Sequence, residues 1–306
     1  MTSQLDSSDR NTALDLQSVG HNYGKFRALE DITLSLPFGS ITALVGPNGA
    51  GKTTLLNLIT GLLRCSEGEI AVCGESPSNA SDFLSRIGFV GQDCPLYKDF
   101  KVGELLRLGE SLNPSWNEEL AMERLSGANV PLNRKAGKLS GGQRAQVALT
   151  LAVAKNPKLL ILDEPLASLD PLARREFLQS LVDVVANTGM TVILSSHLIG
   201  ELARICDHLI VVRDGHLSIF GEIEELISEH IWVSGSLDDL NKLPKEVQSI
   251  ATTNYERHSR TLVRTQGQFL NPSLTQSPVD LEDLVLAYLE SRRAEGRASH
   301  PLQVVT

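Results

Sequence analysis

Short apolar runs bounded by glycine or polar residues recur along the chain, at residues 41–45, 159–162, 192–194 and 209–212. Runs this short and this rich in Val, Ile and Leu predict strands buried on both faces of a sheet. Helical patterns lie between them. Leu55, Leu56, Ile59, Leu62 and Leu63 fall on one helical face, and Val147, Leu149, Leu151 and Val153 lie in a second helix that Pro157 closes. Strands alternating with helices imply an α/β fold with a mostly parallel sheet. Asp214-Gly215, set between Val211-Val212 and His216-Leu217, supplies the positive φ angles of a tight hairpin.

The segment 102–138 reads differently. Its helical patterns around Leu105 to Leu108 and Leu120 to Leu125 are polar and are broken at Asn113-Pro114 and Asn129-Val130-Pro131, which predicts a helical insertion. Near residue 228 the composition shifts. Ile231-Trp232-Val233, Gln248 to Ala251 and Thr261-Leu262-Val263 predict short strands, and Asp280 to Glu290 predicts a helix. The expected organisation is a disordered leader over 1–12 and a main domain over 13–227 with its insertion at about 97–138. A small α/β appendage over 228–290 and a flexible tail over 291–306 complete it.

Charge and composition narrow the class. Lys and Arg number 28 against 37 Asp and Glu, a formal net charge of -9, which removes the long-range attraction that nonspecific binding to nucleic acid needs. No nucleic-acid partner is expected. The longest apolar run, Val147 to Ala154, falls far short of the ~20 residues that cross a bilayer, and Met1 to Arg10 has neither the basic nor the apolar region of a secretory signal. A cytoplasmic location is therefore expected. Cys65, Cys73, Cys94 and Cys206 lack metal-ligand spacing and read as reduced thiols.

Two segments carry chemistry. Gly46-Pro47-Asn48-Gly49-Ala50-Gly51-Lys52-Thr53-Thr54 follows a predicted strand and opens a predicted helix, the context in which G-x-x-x-x-G-K-[ST] is a phosphate-binding loop. Its glycines let backbone N–H groups turn inward around phosphate oxygens; Lys52 would reach the β and γ phosphates and Thr53 would ligate Mg²⁺. Leu159-Leu160-Ile161-Leu162-Asp163-Glu164-Pro165 is a buried strand ending in adjacent carboxylates, Asp163 to hold Mg²⁺ and Glu164 to polarise the attacking water.

Between these two segments stands Leu139-Ser140-Gly141-Gly142-Gln143, which locally is a capping box opening a helix. Together the three resemble an ATP-binding cassette (ABC) protein, over residues 14 to about 226. The resemblance implies a P-loop NTPase cassette, a mostly parallel sheet with an antiparallel β subdomain and a helical insertion. It also implies that Ser140, Gly141, Gly142 and Gln143 clamp the γ-phosphate of ATP bound to an opposite subunit. By the same likeness Tyr23 stacks on adenine, Gln92 ligates Mg²⁺, His197 contacts the γ-phosphate, and Ala167-Ser168-Leu169-Asp170 forms a loop across the dimer interface. The implied protein is an ATPase of an ABC transporter, with ATP and Mg²⁺ as cofactors. It would work as a homodimer, or a heterodimer with a second cassette, on the inner face of the cell membrane through an integral membrane permease. Leu96, Tyr97 and Phe100 are expected to line a groove for that permease. Leu112-Asn113-Pro114-Ser115-Trp116-Asn117 and Val279-Asp280-Leu281-Glu282-Asp283-Leu284 resemble the exporter branch with a separate permease; an importer ATPase and a soluble ATP switch are the alternatives.

Overall fold

The computed structural model describes residues 12–78, 80–241, 243–244, 247–255, 258–265 and 274–291, and divides into two compact units, Met1–Ile223 and Glu224–Thr306. In the first unit, β1 (Thr12–Tyr23), β2 (Phe26–Pro37), β3 (Ile41–Val45), α1 (Lys52–Ile59), β4 (Glu67–Val72), α2 (Ser81–Ser85) and β5 (Ile87–Val90) come in order. They are followed by α3 (Val102–Leu112), α4 (Glu118–Gly127), α5 (Gly141–Val153), β6 (Leu159–Asp163), α6 (Pro171–Thr188), β7 (Thr191–Ser195), α7 (Ile199–Leu202), β8 (His208–Arg213) and β9 (His216–Glu222).

The runs predicted as doubly buried strands are central here. A six-stranded sheet has the order β5-β6-β7-β3-β8-β9, parallel throughout except for the antiparallel β8-β9 pair. Every residue of β3, β6 and β7 is buried, which is why their sequences lack alternation. Asp214 (φ 50°) and Gly215 (φ 78°) turn the β8-β9 hairpin, as Asp-Gly predicts. A second sheet, β2-β1-β4, is antiparallel. Leu14 and Leu16 of β1, Leu29 and Ile32 of β2, and Leu55 and Leu56 of α1 close one core with Leu44, Ile161 and Ile193 of the larger sheet. Each such buried side chain contributes roughly 2 kcal/mol of hydrophobic stabilisation.

Two expectations are adjusted. Residues 1–11 of the predicted leader lie outside the described residues, but Thr12 already pairs with Pro37, so the strand begins inside the expected leader. The helical face through Leu62 and Leu63 is cut short: α1 ends at Ile59, Gly61 takes φ 75°, and Leu62 is exposed. The insertion forms as α3 and α4, with a core of Val102, Leu105, Leu106, Ala121 and Leu125 joined by Val147 of α5. Asn117 caps α4 by accepting from Leu120 N–H at 3.0 Å.

The second unit holds α8 (Ile223–Ser228, which begins on the last residue of the first unit), β10 (His230–Gly235), α9 (Leu237–Leu240), β11 (Gln248–Asn254), β12 (Ser259–Arg264), β13 (Thr275–Pro278) and α10 (Leu281–Glu290). Its strands form an antiparallel sheet of order β11-β12-β10-β13. Residues 292–306 of the predicted tail lie outside the described residues. Asp280 caps α10 through Asp283 N–H at 2.7 Å, and Trp232 donates its indole N–H to Asp283 Oδ2 at 2.9 Å while Arg260 lies 4.1 Å above its ring.

His230 is buried in this unit and partnered at both ring nitrogens. Its Nδ1 lies 2.6 Å from Leu226 O and its Nε2 2.9 Å from the Tyr288 hydroxyl. Burial pushes the Tyr288 phenol up to about 12, so it keeps its proton. Burial also lowers the His230 pKa, helped by Arg264 and opposed by the Leu226 hydrogen bond and Glu229. The unfolded histidine titrates near ~6.5 and the folded one below that, so as pH falls the unfolded chain takes up the proton before the folded one. Stability of this unit is expected to fall as pH drops below about 6.5. Hydrogen exchange at β10 and α10 amides of the intact chain should report the loss, and His230→Phe should flatten it.

Candidate functional site

β3 delivers the chain into the turn Gly46–Gly51 and α1 starts at Lys52. Two glycines are dictated by space. A Cβ on Gly46 would run into the Val212 carbonyl, and one on Gly51, which sits at φ 103°, would meet Leu29 Cδ2 at 2.6 Å. Lys52 is 8% exposed, and its ammonium donates to the Gly46 carbonyl at 2.7 Å and lies 3.9 Å from Glu164 Oε1. The loop thus places a buried cation at the N-terminus of a helix, where backbone N–H groups already favour anions.

β6 ends on Asp163, buried and fully partnered. Its Oδ2 accepts from Thr53 Oγ1 at 2.9 Å and its Oδ1 from Ser195 Oγ at 2.7 Å. Glu164 follows at φ 48°, a left-handed conformation uncommon outside glycine. Its Oε2 lies 2.8 Å from His197 Nδ1, which must carry the hydrogen because a carboxylate only accepts.

Tyr23, Gly46 to Thr54, Gln92, Glu164 and His197 line one cavity of about 750 Å³. Asp163 joins them through Thr53. Tyr23 is 47% exposed and packs edge-on to His21, with ring centroids 4.7 Å apart. Phe26, Ala28 and Ala167 also line the cavity. The sequence reading missed Phe26; the signal was the Gly24-Lys25 hairpin turn, which pairs Tyr23 with Phe26 across β1 and β2. The hydroxyl of Thr53, the carboxylate of Asp163 and the amide oxygen of Gln92 are hard oxygen donors that fit Mg²⁺, an ion taking one or two carboxylates alongside substrate phosphates. Among the described residues no group of three or more His, Cys, Asp or Glu could hold a metal by itself.

Ser140 to Gln143 do not line this cavity. Ser140 caps α5, accepting from Gln143 N–H at 3.2 Å while Gln143 Oε1 accepts from Ser140 N–H at 3.4 Å, so the local capping box is real. Asp170 caps α6 through Leu172 and Ala173 N–H, both at 3.0 Å. A second, apolar cavity of about 500 Å³ is lined by Leu96 and Tyr97 with Leu105, Leu108, Leu112 and Leu151. Phe100, expected there, stands beside it, its ring 5.4 Å from that of Tyr97. The four cysteines are free thiols, and burial raises the pKa of Cys206, Cys94 and Cys73.

The ABC transporter family profile matches residues 29–167. The sulfate/thiosulfate import ATP-binding protein CysA of Synechocystis sp. is 31% identical over 280 residues, covering 89% of this chain and 79% of that protein. The chain belongs to the ABC transporter ATP-binding family. As a member it is an ATPase with the P-loop NTPase cassette fold. The molybdenum import ATP-binding protein ModC of Salmonella typhimurium is 36% identical over 236 residues, covering 74% of this chain and 65% of that protein. The dimeric ABC cassette MJ0796 bound to ADP and Pi superposes with a TM-score of 0.60 at 26% identity, over 68% of this chain and 98% of that one. Both sequence relatives are import proteins, and the resemblance to the exporter branch finds no support in them. No described helix of this ABC chain is long and apolar enough to cross a membrane.

Proposed function

We propose that this ABC ATPase closes head to tail with a second cassette on two Mg·ATP and so drives a separate membrane permease, in the import direction. The observation that carries the proposal is the gathering of Lys52, Glu164 and His197 around the phosphate-binding loop in one cavity, while Ser140 to Gly142 cap a helix outside it. A helix N-terminus with a serine and two glycines favours an anion, and this one does not line the cavity of its own chain. Facing the cavity of a second copy, it meets the γ-phosphate there.

In this reading Tyr23 stacks on adenine, the loop Gly46 to Thr54 wraps the phosphates, and Lys52 holds the β and γ oxygens. Thr53, Asp163 and Gln92 hold Mg²⁺, which when bound neutralises charge developing between the β and γ phosphates. Glu164 accepts a hydrogen bond from the attacking water, and His197 fixes Glu164 and meets the γ-phosphate. Catalysis is positioning and electrostatics. Loss of the γ-phosphate breaks the link between the two chains and the dimer reopens.

The import direction rests on the named relatives. The match to the sulfate/thiosulfate protein extends over 280 residues, longer than the first unit alone, so the likeness includes part of the second. The apolar cavity is the proposed permease seat, and a location on the inner face of the membrane belongs to the same proposal. Tyr97, which lines the cavity and is 67% exposed, should be sensitive to charge. Tyr97→Glu is expected to release the permease while leaving ATP binding unchanged, checked by co-purification and nucleotide titration.

The deciding experiment purifies Glu164→Gln with ATP from detergent-solubilised membranes of the native host and identifies its companions by mass spectrometry. A polytopic membrane protein with a solute-binding protein supports import. The same without a solute-binding protein points to export, and a soluble dimer alone points to a soluble switch.

A further inference from the structure

We infer that Ser195 is a positioning residue for ATP hydrolysis, one hydroxyl that sets Glu164 relative to Asp163; the inference rests on the ATPase reading of this site. Ser195 is the last residue of β7 and stands in register with Asp163, the last of β6. It is fully buried. Its Oγ donates to Asp163 Oδ1 at 2.7 Å and accepts from Glu164 N–H at 2.8 Å. A serine hydroxyl has one hydrogen to give, and here it is spent on the carboxylate while a lone pair takes the amide.

This arrangement answers a problem that the backbone creates. At Glu164 the chain leaves β6 and turns to φ 48°, a conformation that costs free energy in a non-glycine residue and persists only when its surroundings enforce it. The Ser195 hydroxyl holds the Glu164 N–H at that turn. The turned backbone presents the Glu164 carboxylate to His197 at 2.8 Å and to Lys52 at 3.9 Å. The same oxygen fixes one side of Asp163, whose other oxygen is held by Thr53. One atom therefore ties together the carboxylate assigned to the metal and the backbone of the carboxylate assigned to water.

Ser195→Ala removes both bonds with little change in volume. Glu164 then loses the restraint on its strained turn, and a displacement of order 1 Å at a reacting group costs up to about a hundredfold in rate. We expect kcat for Mg·ATP to fall about tenfold to a hundredfold with KM and metal-free ATP binding near wild type, while the melting temperature drops by a few degrees because the Glu164 N–H and Asp163 Oδ1 each lose a buried partner. Ser195→Thr keeps the hydroxyl and suits a strand, and should recover most of the rate.

Wild-type turnover, measured first in the same assay, tests the ATPase reading by itself; an inert wild type would remove that reading and this role together. With an active wild type, a Ser195→Ala kcat within about twofold of it overturns the positioning role. So does a parallel loss of metal-free ATP binding and thermal stability that Ser195→Thr does not repair, which would mark Ser195 as packing only.

Discussion

Replacing Glu164 by Gln is expected to abolish steady-state ATP hydrolysis, by at least about a hundredfold, while ATP-dependent dimers accumulate. The expectation follows from where the carboxylate sits. Glu164 is the one acidic group among the cavity-lining residues, held by His197 Nδ1 at 2.8 Å and 3.9 Å from Lys52. Gln keeps the size and the capacity to accept from His197, so the site should still fill and the phosphates should still be gripped. It loses the negative charge that draws a proton from water. Binding and turnover should therefore separate: size-exclusion chromatography with Mg·ATP shows a dimer, and phosphate release stays at background. A mutant that hydrolyses at the wild-type rate would remove Glu164 from its assigned role, and one that neither binds nor dimerises would show that the charge serves the ground state.

The parts of this site that could be read in the sequence are those whose residue types are forced by local physics. Gly46 and Gly51 are required by backbone crowding, so the phosphate-binding loop announces itself. The strands β3, β6 and β7 are wholly buried, and their unbroken apolar runs say so. Other features depend on partners far along the chain. Phe26 reaches the cavity only because β1 and β2 pair across a two-residue turn. Ser195 reads as an ordinary strand residue until register sets it beside Asp163. β13, with the sequence Thr275-Gln276-Ser277-Pro278, has no apolar pattern to betray it and is defined by its pairing with β10 as an edge strand. The groove shows the same limit. Tyr97 and Phe100 lie together in sequence and in space, but only Tyr97 lines the apolar cavity, since that depends on how α3 packs.

The second large effect concerns sharing of the site between two chains. Lys52→Ala removes the one lysine or arginine that lines the cavity, so ATP binding should weaken by roughly 2–5 kcal/mol, enough to silence the homodimer. Gly141→Asp should silence it by another route. Gly141 is the first residue of α5, its φ is not positive, and a Cβ there would meet Ser168 O at 3.4 Å, an ordinary contact. An aspartate in the first turn favours the helix itself, so the chain should fold, but it places a negative charge where a facing γ-phosphate would come. Each variant alone therefore forms no working site. In a mixed dimer one site combines both lesions, while the other pairs an intact Lys52 with an intact Gly141. An equal mixture of the two inactive proteins is then expected to regain about one quarter of wild-type turnover, half of the dimers being mixed and each carrying one intact site. Activity no higher than the sum of the two parents would place Lys52 and Gly141 at work within a single chain, and the head-to-tail arrangement would have to be abandoned.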